Sequence, residues 1–305
     1  MTVCIAALCQ HKGKPRIVLC TDWRGETYLG ASETSDKLRL LPNGWVALLA
    51  GDLNRAEELV ALYESHLAKK DRFADDNELF TFMKRPAEIF KESLADSYIR
   101  QSLGISYREF LDRSDKIPPE IVNAKLNEID RIKLSTSLIL CGFIRIAQDD
   151  RIDPYLFVVE DEDSHSNVVR VEDNFAAIGS GAYVAIPALH QREHDSEKTL
   201  METIYAVMEA KELSRVVPGI GAATSISVMD ADADKPMLWS ITEAGYKRCT
   251  ALFGRLGPKL NISEKTSEKL FAFNEAYLEP FDDEAEKVFE ASKQQSSAQK
   301  SEAEK

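Results

Sequence analysis

The residue with the clearest potential for chemistry is Thr2, which stands directly before an apolar run at positions 3–8. A small second residue favours removal of Met1, and we expect this removal to leave Thr2 with a free α-amine beside its own hydroxyl. An α-amine has an ordinary pKa of about 8, so a sizeable fraction is unprotonated at neutral pH. An N-terminal threonine therefore combines a nucleophile and a general base in one residue.

Composition limits the classes of partner. The chain has 305 residues, 44% of them apolar, and a net charge of -13, which argues against nucleic acid or an anionic membrane as the main partner. It contains neither a run of about 18 apolar residues nor a secretory signal pattern. The five cysteines lack C-x-x-C spacing, and Cys4, Cys20 and Cys141 lie in apolar runs. We therefore expect a cytoplasmic protein with reduced thiols.

Short apolar runs and helical periodicity alternate in blocks. The order is strands, two helices, strands, two helices, strands, without β-α-β alternation. This order predicts an α+β fold, a four-layer α-β-β-α sandwich of two stacked antiparallel sheets. Predicted strands lie at 3–9, 16–22, 37–41, 45–51, 136–143, 156–159, 175–178, 224–229 and 236–241, and predicted helices at 54–63, 76–100, 183–192 and 198–211.

Turn signals and composition predict the domain organisation. Asn43-Gly44 is a strong hairpin signal, and 161–167 is a polar hairpin loop. We predict one main domain over 2–250, with a helical insertion at about 104–132. A helical extension at 251–290 and a disordered tail at 291–305, rich in Ser, Gln, Lys and Glu, complete the chain.

Several chemically suggestive residues follow one another in an order and spacing typical of one family. They are Thr2 before a strand, Asp22 ending the second strand, Lys37 leading the third, Ala50-Gly51 ending the fourth, and Gly179-Ser180-Gly181 opening a helix. In this respect the chain resembles the proteasome β-subunit family of N-terminal-nucleophile (Ntn) hydrolases, including its HslV type. The resemblance covers about 2–241 and implies the four-layer Ntn-hydrolase fold.

The resemblance implies a role for each matching residue. Thr2 would be the nucleophile, Lys37 the partner that lowers the effective pKa of its hydroxyl, and Asp22 the carboxylate that orients Lys37.

Three further roles follow from the same resemblance. The backbone N–H of Gly51 would stabilise the oxyanion, and Ser180 would help to move the proton of the terminal amine. Leu49 would lie in the main specificity pocket, which would favour apolar or medium-sized side chains.

The implied activity is that of a threonine endopeptidase that cleaves polypeptide substrates through an acyl-enzyme ester. The resemblance implies neither a metal nor an organic cofactor, and it implies a homo-oligomeric ring with a possible separate ATPase unfoldase as partner. Two alternatives stay open: a non-catalytic ring or scaffold subunit of the same fold, and an Ntn amidase acting on small amides.

One segment departs from the family pattern. The family usually has Asp-x-x-Ser-Gly-Gly just before the strand that corresponds to 224–229, and residues 212–224 lack the Asp at its expected place. Glu212 or Ser214 could substitute, although their spacing differs. This departure motivates the non-catalytic alternative.

Three motifs carry less specific signals. Gly179-Ser180-Gly181 resembles a dinucleotide-binding turn but lacks the third glycine and a β-α-β unit. His190 and His194 have the spacing of a metal pair without a third ligand, so we expect solvated helix-face histidines. The acidic run 230–234 resembles a calcium loop without the required glycine and glutamate, so we expect an acidic hairpin tip.

Overall fold

The computed structural model describes residues 2–23, 25–27, 30–32, 37–146, 152–162, 165–231, 237–256 and 278–280. The strands are β1 (Cys4–His11), β2 (Lys14–Asp22), β3 (Gly25–Thr27), β4 (Gly30–Ser32), β5 (Leu38–Leu41), β6 (Trp45–Gly51), β7 (Arg72–Phe73), β8 (Thr136–Ile146), β9 (Ile152–Glu162), β10 (His165–Arg170), β11 (Phe175–Ile178), β12 (Thr224–Asp230), β13 (Met237–Ile241) and β14 (Leu278–Pro280). The helices are α1 (Leu53–Leu67), α2 (Asp76–Leu103), α3 (Tyr107–Asp112), α4 (Pro119–Asp130), α5 (Ala182–Gln191), α6 (Leu200–Ser214) and α7 (Glu243–Leu256), with short 3-10 helices at Pro42–Gly44 and Ser114–Lys116.

Two sheets and two helical layers form the predicted four-layer sandwich. The first sheet has the order β11-β1-β2-β12-β13-β14, and the second has the order β10-β9-β8-β6-β5. Neighbouring strands are antiparallel, except that β7 pairs in parallel with the end of β8. Helices α5, α6 and α7 cover the outer face of the first sheet, and α1 and α2 cover that of the second. The predicted α+β fold is thus confirmed.

The central strands are buried on both faces, which explains their almost continuous apolar sequence. Along β1, Cys4 and Ala6 face the core between the sheets, whereas Ile5 and Ala7 face the core under α5 and α6. The same alternation runs along β6. Burial of each large aliphatic side chain in these cores contributes about 1.5–3 kcal/mol.

The hairpin between β5 and β6 is the one that the sequence predicts. Leu41 pairs with Trp45, and the connecting Asn43 and Gly44 have φ angles of 59° and 73°. Asparagine and glycine adopt these left-handed conformations most readily, which is why they are favoured in tight hairpin turns. The hairpin prediction is confirmed.

Other segments differ from their predictions. Strand β9 ends at Glu162 and strand β10 begins at His165, so most of the predicted loop at 161–167 belongs to this strand pair. Pairing between the two strands outweighs the polar composition of the segment. Leu278–Pro280, assigned to a helical extension, forms an edge strand on β13.

The predicted insertion at 104–132 contains α3 and α4, which pack on α2 through Phe110 and Ile129. Residues 251–256 of the predicted extension belong to α7, and 257–277 and 281–305 lie outside the described residues. The same holds for 232–236, which include most of the candidate calcium loop. None of the helices described is both long and apolar enough to cross a bilayer.

The expectation of solvated helix-face histidines is wrong for His194. Helix α5 ends at Gln191, and His194 lies beyond it with 8% of its surface exposed. Its Nε2 lies 3.0 Å from the carbonyl oxygen of Leu8, which can only accept, so Nε2 carries the proton. His190 is exposed, and the described residues contain no cluster of metal-ligating side chains.

The burial of His194 predicts a pH-dependent stability. Burial lowers the pKa of His194 below its ordinary value of 6.5, so the unfolded chain binds a proton more readily than the folded one. The contribution of His194 to the free energy of unfolding is therefore fully present above pH 6.5 and decreases as the pH falls below that value. We expect His194→Gln to reduce the loss of unfolding free energy between about pH 7.5 and about pH 5.5, measured by urea denaturation. An unchanged pH dependence in the variant would contradict this assignment.

Candidate active site

Thr2 lies two residues before β1, a strand inside the first sheet that runs between β2 and β11. Only 8% of its surface is exposed. Its backbone nitrogen donates to Oγ of Ser180 at 3.2 Å, and its carbonyl oxygen accepts from the nitrogen of Gly181 at 3.0 Å. The start of α5 therefore holds the backbone of Thr2 on one side.

The carboxylate of Asp22, at the end of β2, holds the other side. Its Oδ1 accepts from Nζ of Lys37 at 2.8 Å and from the amide nitrogen of Val3 at 2.9 Å. Its Oδ2 accepts from the amide nitrogen of Gly221 at 3.1 Å. A single carboxylate thus joins an ammonium group to the residue that follows Thr2.

The Lys37–Asp22 ion pair is almost completely buried, with side-chain exposures of 1% and 0%. Removing two charges from water is costly, and this cost is offset only when hydrogen bonds satisfy both groups. The carboxylate of Asp22 accepts from three donors, one of them charged and two from the backbone, so its own hydrogen bonds are satisfied. The carbonyl oxygen of Lys37 also accepts from the nitrogen of Leu49, which fixes the backbone from which the ammonium extends.

Gly51 ends β6 beside the site. Its φ is +90°, and an added Cβ would lie 2.6 Å from the carbonyl oxygen of Ser135, so only glycine fits. Gly179 packs as closely: an added Cβ there would lie 2.5 Å from the carbonyl oxygen of Thr2 and 3.3 Å from Cβ of Ala50. The end of β6, the start of α5 and the N-terminal segment therefore meet at one place.

Ser180 is half-buried, and its hydroxyl contacts both ends of the Thr2 backbone. Oγ accepts from the Thr2 nitrogen at 3.2 Å and lies 3.4 Å from the Thr2 carbonyl oxygen, to which it donates. A serine hydroxyl at this position could relay a proton to or from a terminal amine.

The position of Leu49 does not support its predicted role in the specificity pocket. Leu49 has no exposed surface and packs in the core under α1 and α2, with Leu59 and Met83. Side chains alternate along a strand, so Leu48 and Ala50 face the first sheet while Leu49 faces the helices.

Glu212 and Ser214, the possible substitutes for the absent Asp, occupy different positions. Oγ of Ser214, at the end of α6, lies 3.2 Å from the carbonyl oxygen of Gly181 and donates to that of Ala210 at 2.7 Å. The Glu212 carboxylate accepts instead from Lys211 and Arg215. Burial by itself would raise the pKa of Glu212, but these two cations outweigh it and hold the pKa below its ordinary value.

Sequence reasoning missed two members of this region, Gly221 and Lys211. The amide of Gly221 has no sequence signature, because any residue except proline supplies one. Lys211 had a detectable signal: it lies four residues after Val207 and three before Ser214, on a helix face that the structure buries. A charged residue on such a face is a candidate for a specific partner.

Cys4 lies beside this site, two residues after Thr2 and close enough to interact with Lys37 and Asp22. Its Sγ donates to the carbonyl oxygen of Leu49 at 3.2 Å. Burial raises its pKa well above the ordinary range, which leaves the thiol protonated. The hydroxyl of Thr2 is thus the better candidate nucleophile. All five cysteines are buried and unpaired with one another.

Comparison with known proteins adds evidence about the fold. No family model matches the chain, and no curated protein matches it either. A similar solved structure is a Gly-1 mutant of Anbu from Hyphomicrobium sp. strain MC1, with a TM-score of 0.50 and 17% sequence identity. The match covers 84% of this chain and 95% of that chain. Together with the layer order described above, it confirms the Ntn-hydrolase fold.

These comparisons correct the family assignment. The resemblance placed the chain in the proteasome β-subunit and HslV-type family, but no family model matches, and the solved structure named above is a mutant of Anbu at only 17% identity. A likeness at this level shows the fold alone. The short matches around Thr2, Asp22 and Lys37 were sufficient to predict the fold but not the family. The ring assembly and the ATPase partner depended on that assignment and stay predictions.

Proposed function

We propose that this chain is a threonine-type peptidase in which removal of Met1 exposes Thr2 as the nucleophile. The observation that carries the proposal is the double contact of Asp22 Oδ1, which accepts from the Lys37 ammonium and from the amide of Val3. This contact ties a buried cation to the backbone beside the candidate nucleophile. The contact of the Thr2 nitrogen with Ser180 further supports it.

The first half of the reaction forms an ester. Oγ of Thr2 attacks the carbonyl carbon of the scissile peptide bond, and its proton passes to the α-amine of the same residue. The nearby Lys37 ammonium favours the developing alkoxide by electrostatic attraction. Protonation of the leaving nitrogen by the α-ammonium then releases the first product and leaves an acyl-enzyme ester.

The second half restores the enzyme. The α-amine takes a proton from a water molecule, whose oxygen attacks the ester carbonyl. The bond between that carbonyl carbon and Oγ of Thr2 then breaks, the α-ammonium returns the proton to Oγ, and the second product leaves as a carboxylic acid. In both halves the backbone N–H of Gly51 is the candidate donor to the oxyanion. One such donor typically contributes about 3–4 kcal/mol to transition-state stabilisation.

Two measurements test the proposal. We expect the intact mass of the protein purified from its native host to lack Met1. We also expect an α′,β′-epoxyketone peptide, which reacts with a hydroxyl and a free amine together, to form an adduct that peptide mapping assigns to Thr2. Retention of Met1, or absence of the adduct in a folded protein, would contradict catalysis by Thr2 and favour a non-catalytic subunit.

Hydrolysis of fluorogenic peptides distinguishes a peptidase from the remaining alternative, an Ntn amidase. A threonine peptidase hydrolyses peptidyl fluorogenic substrates, and the epoxyketone blocks that hydrolysis. An Ntn amidase would form a Thr2 adduct but hydrolyse small amides in preference to peptides. A higher kcat/KM for small amides than for all peptides tested would replace the peptidase assignment with that of an amidase.

A further inference from the structure

We propose that the buried Lys211–Glu212 pair is a positioning element that holds Asp22 in place through the segment 220–223. This inference rests on the proposed function for its catalytic consequence. The structural part, the positioning of Asp22, is testable without any assumption about catalysis.

Lys211 is a buried cation to which the mechanism above assigns no role. Its side chain has no exposed surface, which is rare for a lysine and requires partners. Nζ donates to the carbonyl oxygen of Ala222 at 2.9 Å and to Oε1 of Glu212 at 3.2 Å. The ammonium therefore joins the end of α6 to the segment that precedes β12.

The same segment contacts Asp22 and its neighbour. The nitrogen of Gly221 donates to Oδ2 of Asp22 at 3.1 Å, and the nitrogen of Trp23 donates to the carbonyl oxygen of Ala223 at 3.3 Å. Three consecutive residues thus bind the end of β2 and Lys211. The Lys211 ammonium binds the carbonyl oxygen of Ala222, and its two neighbours, Gly221 and Ala223, make the contacts with the end of β2.

Glu212 completes the pair. Its side chain is 6% exposed and accepts from Arg215 at 2.8 Å and from the hydroxyl of Tyr246 at 3.2 Å. The Tyr246 hydroxyl also lies 3.2 Å from Oγ1 of Thr224, at the start of β12. Through Tyr246, Glu212 is therefore connected to Thr224, which directly follows the segment that carries Gly221.

The end of α6 reaches both sides of the candidate site. Lys211 holds the Asp22 side, and one turn later Ser214 lies against the carbonyl of Gly181 on the Ser180 side. A hydrogen bond to a charged group is stronger and more directional than a neutral one, so the Gly221 amide helps to orient Asp22. Displacement of that amide would alter the orientation of Asp22 toward Lys37.

The test compares Lys211→Met with a matched control. The control, Arg192→Met, removes the cation of another largely buried pair that involves α6, that of Arg192 with Glu209, which packs at the end of α5. In Lys211→Met, Glu212 keeps Arg215 and Tyr246 as partners. The double variant Lys211→Met/Glu212→Gln removes both buried charges, and Arg215, which loses its contact with Glu212, is exposed. This variant replaces the single variant if that one does not fold.

Hydrogen exchange of the Gly221 amide is the first measurement. We expect its protection to fall at least about tenfold in the folded Lys211 variants and to stay unchanged in Arg192→Met. Unchanged protection of Gly221, or an equal loss in the control, would overturn the positioning role whether or not the protein is a hydrolase.

Kinetics are the second measurement. We expect kcat to fall about 10- to 100-fold with little change in KM, because the substrate still binds but the reacting groups are misplaced. The pH profile of kcat should shift in Lys211→Met and not in Arg192→Met. If the wild-type protein forms no Thr2 adduct, the proposed function fails, and the exchange experiment still decides the positioning of Asp22.

Discussion

Replacement of Thr2 by alanine is expected to abolish peptide hydrolysis, with a loss in kcat of at least about 10⁴-fold. Alanine at this position still permits removal of Met1 and keeps the terminal amine, so the variant removes the proposed nucleophilic hydroxyl together with the γ-methyl group. The Thr2 nitrogen donates to Ser180 and the Thr2 carbonyl oxygen accepts from Gly181, and neither hydrogen bond depends on the side chain. The fold should therefore persist, as circular dichroism would show.

Thr2→Ser is the matched control for this experiment. Serine keeps the hydroxyl and the amine and removes only a methyl group, so we expect measurable hydrolysis and epoxyketone labelling. Hydrolysis by Thr2→Ala at more than about one tenth of the wild-type rate would show that another residue is the nucleophile. Loss of activity in both variants, with Met1 removed and the fold intact, would favour a requirement for the methyl group.

Replacement of Lys37 by methionine is expected to reduce both stability and activity. Removing one partner of a buried ion pair typically costs about 3–5 kcal/mol, because the other charge stays buried without compensation. The pair is 1% and 0% exposed, which puts it in this class. The kcat should also fall by at least about 10²-fold if the proposed function holds, since the cation that would stabilise the developing alkoxide of Thr2 is lost.

The double variant Lys37→Met/Asp22→Asn separates the two effects. With neither charge present, we expect most of the lost unfolding free energy to return, while kcat stays low. Urea denaturation and peptide hydrolysis measure the two quantities on the same samples. A double variant that regains activity along with stability would show that the pair is structural.

An exposed ion pair on β5, the strand that begins directly after Lys37, provides the control for stability. Arg39 bonds to Glu57 with side chains that are 35% and 46% exposed, so Arg39→Met should change the unfolding free energy by less than about 1 kcal/mol. A loss as large as that of Lys37→Met would show that the position of the strand, and not the buried charge, determines stability.

Much of the fold could be predicted from the sequence because the central strands are buried on both faces. Such strands appear as short apolar runs, and the runs at β6 and β8 coincide with strands in the structure. The polar residues of β9 and β10 gave no such signal. Their strand structure depends on the antiparallel pairing of β9 with β10, which begins with the pair Glu162 and His165. Composition alone does not reveal this pairing.

The sequence by itself determined the layer order and the hairpin at Asn43-Gly44, because local periodicity and turn chemistry act over a few residues. Thr2, Asp22 and Lys37 became candidates through a family resemblance in their order and spacing. Only the tertiary structure decided what surrounds Asp22. Its donors come from Val3, Lys37 and Gly221, up to 199 positions away along the chain. Sheet pairing and the loop before β12 bring these groups together, and backbone amides carry no sequence signal. The burial of Leu49, His194 and Lys211 was likewise decided by which elements pack against them.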